Sequence, residues 1–283
     1  LDDHSTDDIP NARMIERPCP WFDAAWRQAS GLPNGTRAPT DAGARPRCLL
    51  CHGFTGRAAD WDDTPCGHCP AGYAVDLPGH GHAPAPTSPF LAEIDALLAR
   101  IPGSIDHVIG YSLGGRLALA MLMRAPERFR AATLIAAHPG LEDPEARAER
   151  RAADRQWIDQ LRREGIASFV ETWERQPLFQ TQARLPTSIR NRQRARRLAQ
   201  RPEGLAAALA TFGLGEMPNT WPALAHYPGQ LHWVVGGLDP KFQRIAEAVQ
   251  RIRPATQLQI LEGVGHNPLL EWLAPANAEP SDP

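Results

Sequence analysis

The sequence predicts an α/β fold, a mostly parallel sheet covered by helices and carrying an inserted helical segment. Apolar runs at 47–51, 73–76, 106–110, 131–136, 231–235 and 256–261 lack polar alternation, as strands buried on both faces do. Helical stretches alternate with them through most of the chain. Between Pro139 and about Pro222 the strand signal vanishes, and helical segments punctuated by Pro144, Pro177, Pro186, Pro202 and Pro218 take over.

A chain of 283 residues suits one sizeable α/β domain and is short for two enzymatic ones. We expect a domain over 46–283 with a helical lid at about 139–222. Residues 1–45 are rich in Pro, Asp, Gly and Ala with one apolar cluster at Trp21, Phe22 and Trp26, the composition of a tail or linker. A net charge of -2 and a pI near 6.6 give no basic field for nucleic acid or an anionic membrane. No apolar stretch approaches the roughly 20 residues that span a bilayer. The opening Leu1-Asp2-Asp3-His4 lacks the basic and apolar regions of a secretory signal. A soluble cytoplasmic enzyme is expected.

The first strand, Arg47 to Cys51, ends in His52-Gly53-Phe54-Thr55-Gly56, a loop suited to aim the Phe54 amide at a developing oxyanion. Among five cysteines, Cys48-x-x-Cys51 and Cys66-x-x-Cys69 are spaced as in a zinc ribbon. Strand geometry opposes that reading, because positions i and i+3 point to opposite faces and cannot share an ion. No metal and no cofactor is expected, and Cys66 and Cys69 stay a loop pair open to metal or to oxidation. The second strand runs into Asp76-Leu77-Pro78-Gly79-His80-Gly81-His82, a turn whose histidines read as structural. The third, Asp106 to Gly110, enters Gly110-Tyr111-Ser112-Leu113-Gly114 ahead of a helix starting near Gly115. That is the strand-turn-helix context of a nucleophile elbow. The Leu113 amide would be the second oxyanion donor.

The inserted segment is rich in arginine: 147, 150, 151, 155, 162 and 163, then 190, 192, 194, 196, 197 and 201. Arg147, Arg150 or Arg151, and Arg155 recur at helical spacing, and guanidinium forks bind carboxylates bidentately. Most must be solvated, since Lys241 is the chain's one lysine and arginine replaces it throughout; one or two are expected to face a pocket. After the fifth strand and Gly236-Gly237 comes Asp239, and after the sixth comes Gly263-Val264-Gly265-His266-Asn267. Pro268 to Leu273 leaves room for a short closing helix before Pro275. Ser112, Asp239 and His266 thus follow one another in the order of an α/β-hydrolase triad, each at a strand exit.

Several further motifs go together: His138-Pro139-Gly140-Leu141, Arg147-Ala148-Glu149-Arg150, Asp154-Arg155-Gln156-Trp157, and Gly110-Tyr111-Ser112-Leu113-Gly114-Gly115-Arg116. With them stand Val75-Asp76-Leu77-Pro78-Gly79-His80-Gly81, Gln176-Pro177-Leu178-Phe179, Asp239-Pro240-Lys241-Phe242 and Gly265-His266-Asn267. Over roughly 47–270 the chain resembles the 2-succinyl-6-hydroxy-2,4-cyclohexadiene-1-carboxylate synthases of menaquinone biosynthesis. The resemblance implies an α/β-hydrolase fold and a lyase that removes pyruvate from a succinylated enolpyruvyl cyclohexene acid. It implies Ser112 as base, His266 as its proton acceptor and Asp239 as the orienting carboxylate. Arg116 and Arg150 would bind substrate carboxylates, with Tyr111 and Trp173 at matching pocket positions. It also leaves room for fusion to, or association with, other enzymes of the pathway. The chain departs from the pattern at Glu174, where a tyrosine commonly follows the lid tryptophan; a carboxylate there would face an anionic ligand unless it turns away. The rival readings are an ester, thioester or C–C bond hydrolase with Ser112 as nucleophile, and a silent ligand-binding protein, which has no need of three intact catalytic groups.

Overall fold

A computed structural model describes residues 47–62, 64 and 72–272. The segment read as a tail, and the pair Cys66 and Cys69, lie outside the described residues. In chain order the elements are β1 (Cys48–Cys51), β2 (Gly72–Val75), α1 (Phe90–Arg100), β3 (His107–Tyr111), α2 (Leu113–Arg124) and β4 (Ala131–Ile135). There follow α3 (Pro144–Glu174), a 3-10 stretch (Pro177–Arg184), α4 (Thr187–Leu198), α5 (Pro202–Phe212) and α6 (Trp221–His226). The chain then returns to the sheet with β5 (Gln230–Gly236), α7 (Pro240–Ile252), β6 (Gln257–Leu261) and α8 (Pro268–Glu271).

The six strands form one parallel sheet in the order β2-β1-β3-β4-β5-β6. Every residue of β1, β3 and β4 is buried, whereas the edge strand β6 exposes Ile260 and Gln257. This is the burial on both faces that their unbroken apolar character requires. Burying each of Ile109, Leu134 and Val234, all at 0% exposure, contributes about 1.5 to 3 kcal/mol. The register sets Cys51 beside Gly110, Tyr111 beside Ile135, Ile135 beside Val234 and Gly236 beside Leu261. The carboxyl ends of these strands therefore share one edge, and the loops after β1, β3, β5 and β6 meet there.

Helix α2 packs on β1, β3 and β4, and it starts at Leu113, earlier than the spacing near Gly115 suggests. Ser112 sits at φ 49, ψ -105, a turn so abrupt that the next residue is already helical. Two glycines permit it. A Cβ on Gly110 would lie 2.5 Å from the Gly114 carbonyl oxygen, and one on Gly114 would lie 2.2 Å from that of Cys51.

Helices α3 to α5 lie between β4 and β5, with a small core of their own built from Ile158, Leu161, Phe169, Val170, Leu205 and Leu209. Phe54 and Leu178 pack against both this core and that of the sheet. Within α3, Gly165 takes φ 79, ψ -177 and divides the helix in two. Among the described residues no helix is long and apolar enough to cross a membrane.

Candidate active site

The elbow, the turn after β5 and the loop after β6 bring Ser112, Asp239 and His266 together. His266 Nδ1 lies 2.7 Å from Asp239 Oδ2, and His266 Nε2 lies 3.2 Å from Ser112 Oγ. The carboxylate can only accept, so Nδ1 carries the proton and Nε2 is left to accept the serine hydroxyl. Asp239 and His266 are 5% and 3% exposed, and burial of this kind strengthens their hydrogen bond. Asp239 caps α7, accepting the Phe242 amide at 3.4 Å. The Gln243 amide group donates to the Gly236 and Gly237 carbonyls and steadies the same turn. The His266 loop is clipped from the short helix α8, whose Glu271 accepts the Gly265 and Asn267 amides at 2.8 and 3.2 Å.

The two amides singled out from sequence belong to Leu113, which follows Ser112 in the chain, and to Phe54, which lines the same cleft as Ser112. Leu113 is the first residue of α2, so its N–H has no carbonyl one turn earlier in the helix to bond. Among the described residues no backbone hydrogen bond engages the Phe54 amide. The loop carrying Phe54 is fixed by His52, whose Nε2 accepts the Leu77 amide at 3.0 Å. That contact leaves Nδ1 protonated, donating to the Gly53 carbonyl at 2.8 Å. A neutral imidazole fits: burial pushes the His52 pKa down to about 4.

The triad opens into a cleft of about 260 Å³ lined by Phe54, Tyr111, Trp173 and Phe179 and by a set of cations. Arg116, from α2, donates to the Phe212 carbonyl at 2.5 Å. Burial, then the proximity of Arg150, pushes its pKa down to about 9, opposed by Asp154, which leaves it charged at neutral pH. Arg150 bonds Asp154 at 2.9 Å, and Asp154 is 4% exposed. Lys241 is lowered by desolvation and by Arg150, with Asp239 opposing. His138 stands among these cations, held down to about 3 by burial and then by Lys241, Arg116 and Arg150. Its Nδ1 accepts the Gly140 amide at 3.1 Å, so the ring is neutral with its proton on Nε2. Arg192, Arg196 and Arg197 of α4 supply a second cationic group to the cleft. Such crowding of like charge is relieved by an anionic ligand.

Of the expected pocket residues, Tyr111, Arg116, Arg150 and Trp173 all line the cleft. The Nε1 of Trp173 is buried. The arginines of α3 do not share one role. Arg147 and Arg151 donate to the Met217 and Gly215 carbonyls and tie α3 to the turn after α5, Arg155 is exposed, and Arg150 alone of the four reaches the cleft. With the three of α4, four arginines of the inserted segment line the cleft, more than the one or two expected. Sequence named Arg192, Arg196 and Arg197 among the arginines of the inserted segment without telling which face the pocket, and it missed Lys241 and His138 as lining residues. Lys241 carried a readable signal, as the one lysine, two positions after the triad aspartate. The carboxylate of Glu174 is taken up by Arg194 and, at 3.0 Å, by Arg197, so it does not stand unpaired beside a ligand.

The alpha/beta hydrolase family matches residues 48–278. The chain is 31% identical over 236 residues, 81% of its length and 89% of the relative's, to 2-succinyl-6-hydroxy-2,4-cyclohexadiene-1-carboxylate synthase of Salmonella heidelberg (strain SL476). A Bacillus subtilis (strain 168) protein bearing the same name provisionally is 33% identical over 230 residues, 77% of this chain and 82% of that one. Among solved structures, MenH from S. aureus superposes with a TM-score of 0.75 at 30% identity, covering 82% of this chain and 91% of its own.

Proposed function

We propose, for a chain that belongs to the alpha/beta hydrolase family and to its 2-succinyl-6-hydroxy-2,4-cyclohexadiene-1-carboxylate synthases, the reaction that name implies. The enzyme eliminates pyruvate from 2-succinyl-5-enolpyruvyl-6-hydroxy-3-cyclohexene-1-carboxylate to give 2-succinyl-6-hydroxy-2,4-cyclohexadiene-1-carboxylate. The observation that carries this reading at the site is the pairing of an intact Ser-His-Asp relay with clustered cations in one cleft.

The chemistry follows from the groups present. The ring proton at C2 lies next to the succinyl carbonyl and is the acidic one. Ser112 Oγ takes that proton while passing its own to His266 Nε2, and Asp239 stabilises the imidazolium. The electron pair moves onto the carbonyl oxygen, where the Phe54 and Leu113 amides meet the enolate; one such donor is worth about 3 to 4 kcal/mol. As the enolate collapses, its pair forms the C2–C3 double bond, the C3–C4 double bond of the ring shifts to C4–C5, and the C5–O bond breaks. The departing enolpyruvate takes up the proton held on the His266 imidazolium and becomes pyruvate, which restores the neutral ring, and no acyl-enzyme is needed. Arg116 and Arg150, with Lys241 beside them, hold carboxylates at one end of the cleft, and the α4 arginines serve the other. Tyr111 and Trp173 supply the apolar walls. Helices α3 to α5, over about 139–222, act as a lid whose closure excludes water. A cytoplasmic setting, and fusion to or association with other enzymes of the pathway, belong to the same proposal.

Pyruvate release, followed by coupled lactate dehydrogenase, tests the reading. Release well above the spontaneous decay of the substrate is expected from the protein and not from Ser112→Ala, which still binds the product. No release from the folded protein, with brisk hydrolysis of short acyl esters, would replace the lyase with a hydrolase.

A further inference from the structure

Between α4 and α5 lies Gln200, 4% exposed, which the triad and its pocket leave without a task. Its Nε2 donates to the Gly56 carbonyl at 2.8 Å and to that of Thr55 at 3.3 Å. Its Oε1 accepts the Gly81 amide at 2.9 Å. One carboxamide thus joins the inserted helices to the loop after β1 and to the Pro-Gly-His-Gly turn after β2. Thr55 has φ 67, a left-handed conformation that a β-branched residue holds only when its surroundings impose it. Its carbonyl is one of the two that Gln200 grips.

We propose that Gln200 is a positioning residue that sets the Phe54 amide of the oxyanion loop from the side of the inserted helices. Phe54 is flanked by two fixed points. On the sheet side, His52 bonds the Gly53 carbonyl, and the Gly56 amide closes back on the same oxygen at 3.0 Å. On the outer side, Gln200 holds the next two carbonyls in one direction. If that grip is lost, Thr55 relaxes toward right-handed backbone, the peptide that joins it to Gly56 turns, and the Gly56 N–H releases the Gly53 carbonyl, which belongs to the same peptide as the Phe54 N–H. One turn earlier on α4, Arg196 pairs with Asp60 at 3.5 Å, and Asp60 accepts the Arg57 amide at 3.0 Å. The far end of the loop is therefore braced from the same helix. Oxyanion geometry becomes a property of the docked insertion and not of the sheet alone.

This inference rests on the oxyanion role proposed above for Phe54, and its test separates the two. Gln200→Ala removes all three bonds, while Gln200→Glu keeps the length and the acceptor for Gly81 and sets a carboxylate against two carbonyls. Both variants are expected to lower kcat about 10- to 100-fold, the cost of misplacing a group by about an ångström, with the product dissociation constant within about threefold. In 15N-labelled protein the Phe54 amide resonance is expected to move in Gln200→Glu. A kcat within about threefold of the parent, a fall in kcat matched by loss of product affinity, or an unmoved Phe54 resonance would each overturn the assignment. If Gln200→Ala does not fold, the isosteric variant decides. If the parent releases no pyruvate the lyase reading fails, and the same comparison run on 4-nitrophenyl acetate, with the Phe54 resonance, still settles Gln200.

Discussion

Arg150 illustrates how one residue carries two loads. Its guanidinium faces the cleft and also neutralises Asp154, a carboxylate with 4% exposure. Arg150→Ala is expected to lower kcat/KM by roughly 2 to 4 kcal/mol through an unpaired substrate carboxylate. It is also expected to lower stability by about 1 to 2 kcal/mol, because Asp154 is left buried alone; the partial exposure of Arg150 keeps this below the cost of breaking a fully buried pair. The double variant Arg150→Ala, Asp154→Ala should regain stability in urea unfolding and regain no activity. Recovery of both would mean that Arg150 acts through the fold and not through substrate. Sequence spacing grouped Arg150 with Arg147 and Arg151, and nothing in that spacing tells a guanidinium that meets a ligand from one that meets a backbone carbonyl. The triad was legible for the opposite reason. Each member stands at the end of an apolar run, and the sheet's register brings those ends together.

At the scale of elements, the strands could be read to within a residue or two: burial on both faces leaves few polar positions in β1, β3 and β4, and the edge strands β2 and β6 were found by their place between turns and helices. The inserted segment could be read as helical and punctuated by prolines, but its helices could not be oriented. Their direction is set by contacts distant in sequence, such as Arg194 and Arg197 with Glu174 or Gln200 with the loop after β1. Gly165 is the joint of this layer. It separates the half of α3 that carries Arg150 from the half that carries Trp173, and both line the cleft. A Cβ there meets nothing within 4 Å, so Gly165→Ala introduces no clash, and its cost is backbone strain of about 1 to 3 kcal/mol. Thermal unfolding should show that loss, with KM rising as Arg150 and Trp173 lose their relative placement; unchanged stability and KM would show that the helix straightens freely. Glu174→Gln removes one negative charge behind the α4 arginines. Affinity for the anionic product should rise several-fold at low salt, because a like charge near the site is removed, and the gain should fade at high salt. Equal affinity at every salt concentration would place Glu174 outside the field of the cleft.

Across the whole molecule, buried histidines couple stability to pH. His107 bonds Thr133 in the sheet at 3.1 Å and is held down to about 3 by burial and then by His232. Burial lowers His232 and His52 to about 4. Each is neutral when folded and has an ordinary value near 6.5 when unfolded, so between 6.5 and about 4 the unfolded chain binds protons that the folded one refuses. Their stabilising contribution is present above pH 6.5, is lost as pH falls through that window, and is gone below the folded values. At pH 5.5 each costs about 1 kcal/mol relative to pH 7.5, less wherever two of them share a proton. From these three rings alone, urea unfolding should show stability about 3 kcal/mol lower at pH 5.5 than at pH 7.5, and His138 and His80, lowered in the same direction, deepen the fall. His107→Gln or His232→Gln should reduce that slope even where it lowers stability at pH 7.5. A flat profile from 7.5 to 5.5 would mean that these rings gain partners for their charged form. The sheet that aligns the triad would then not be the part of the molecule that acid undoes first.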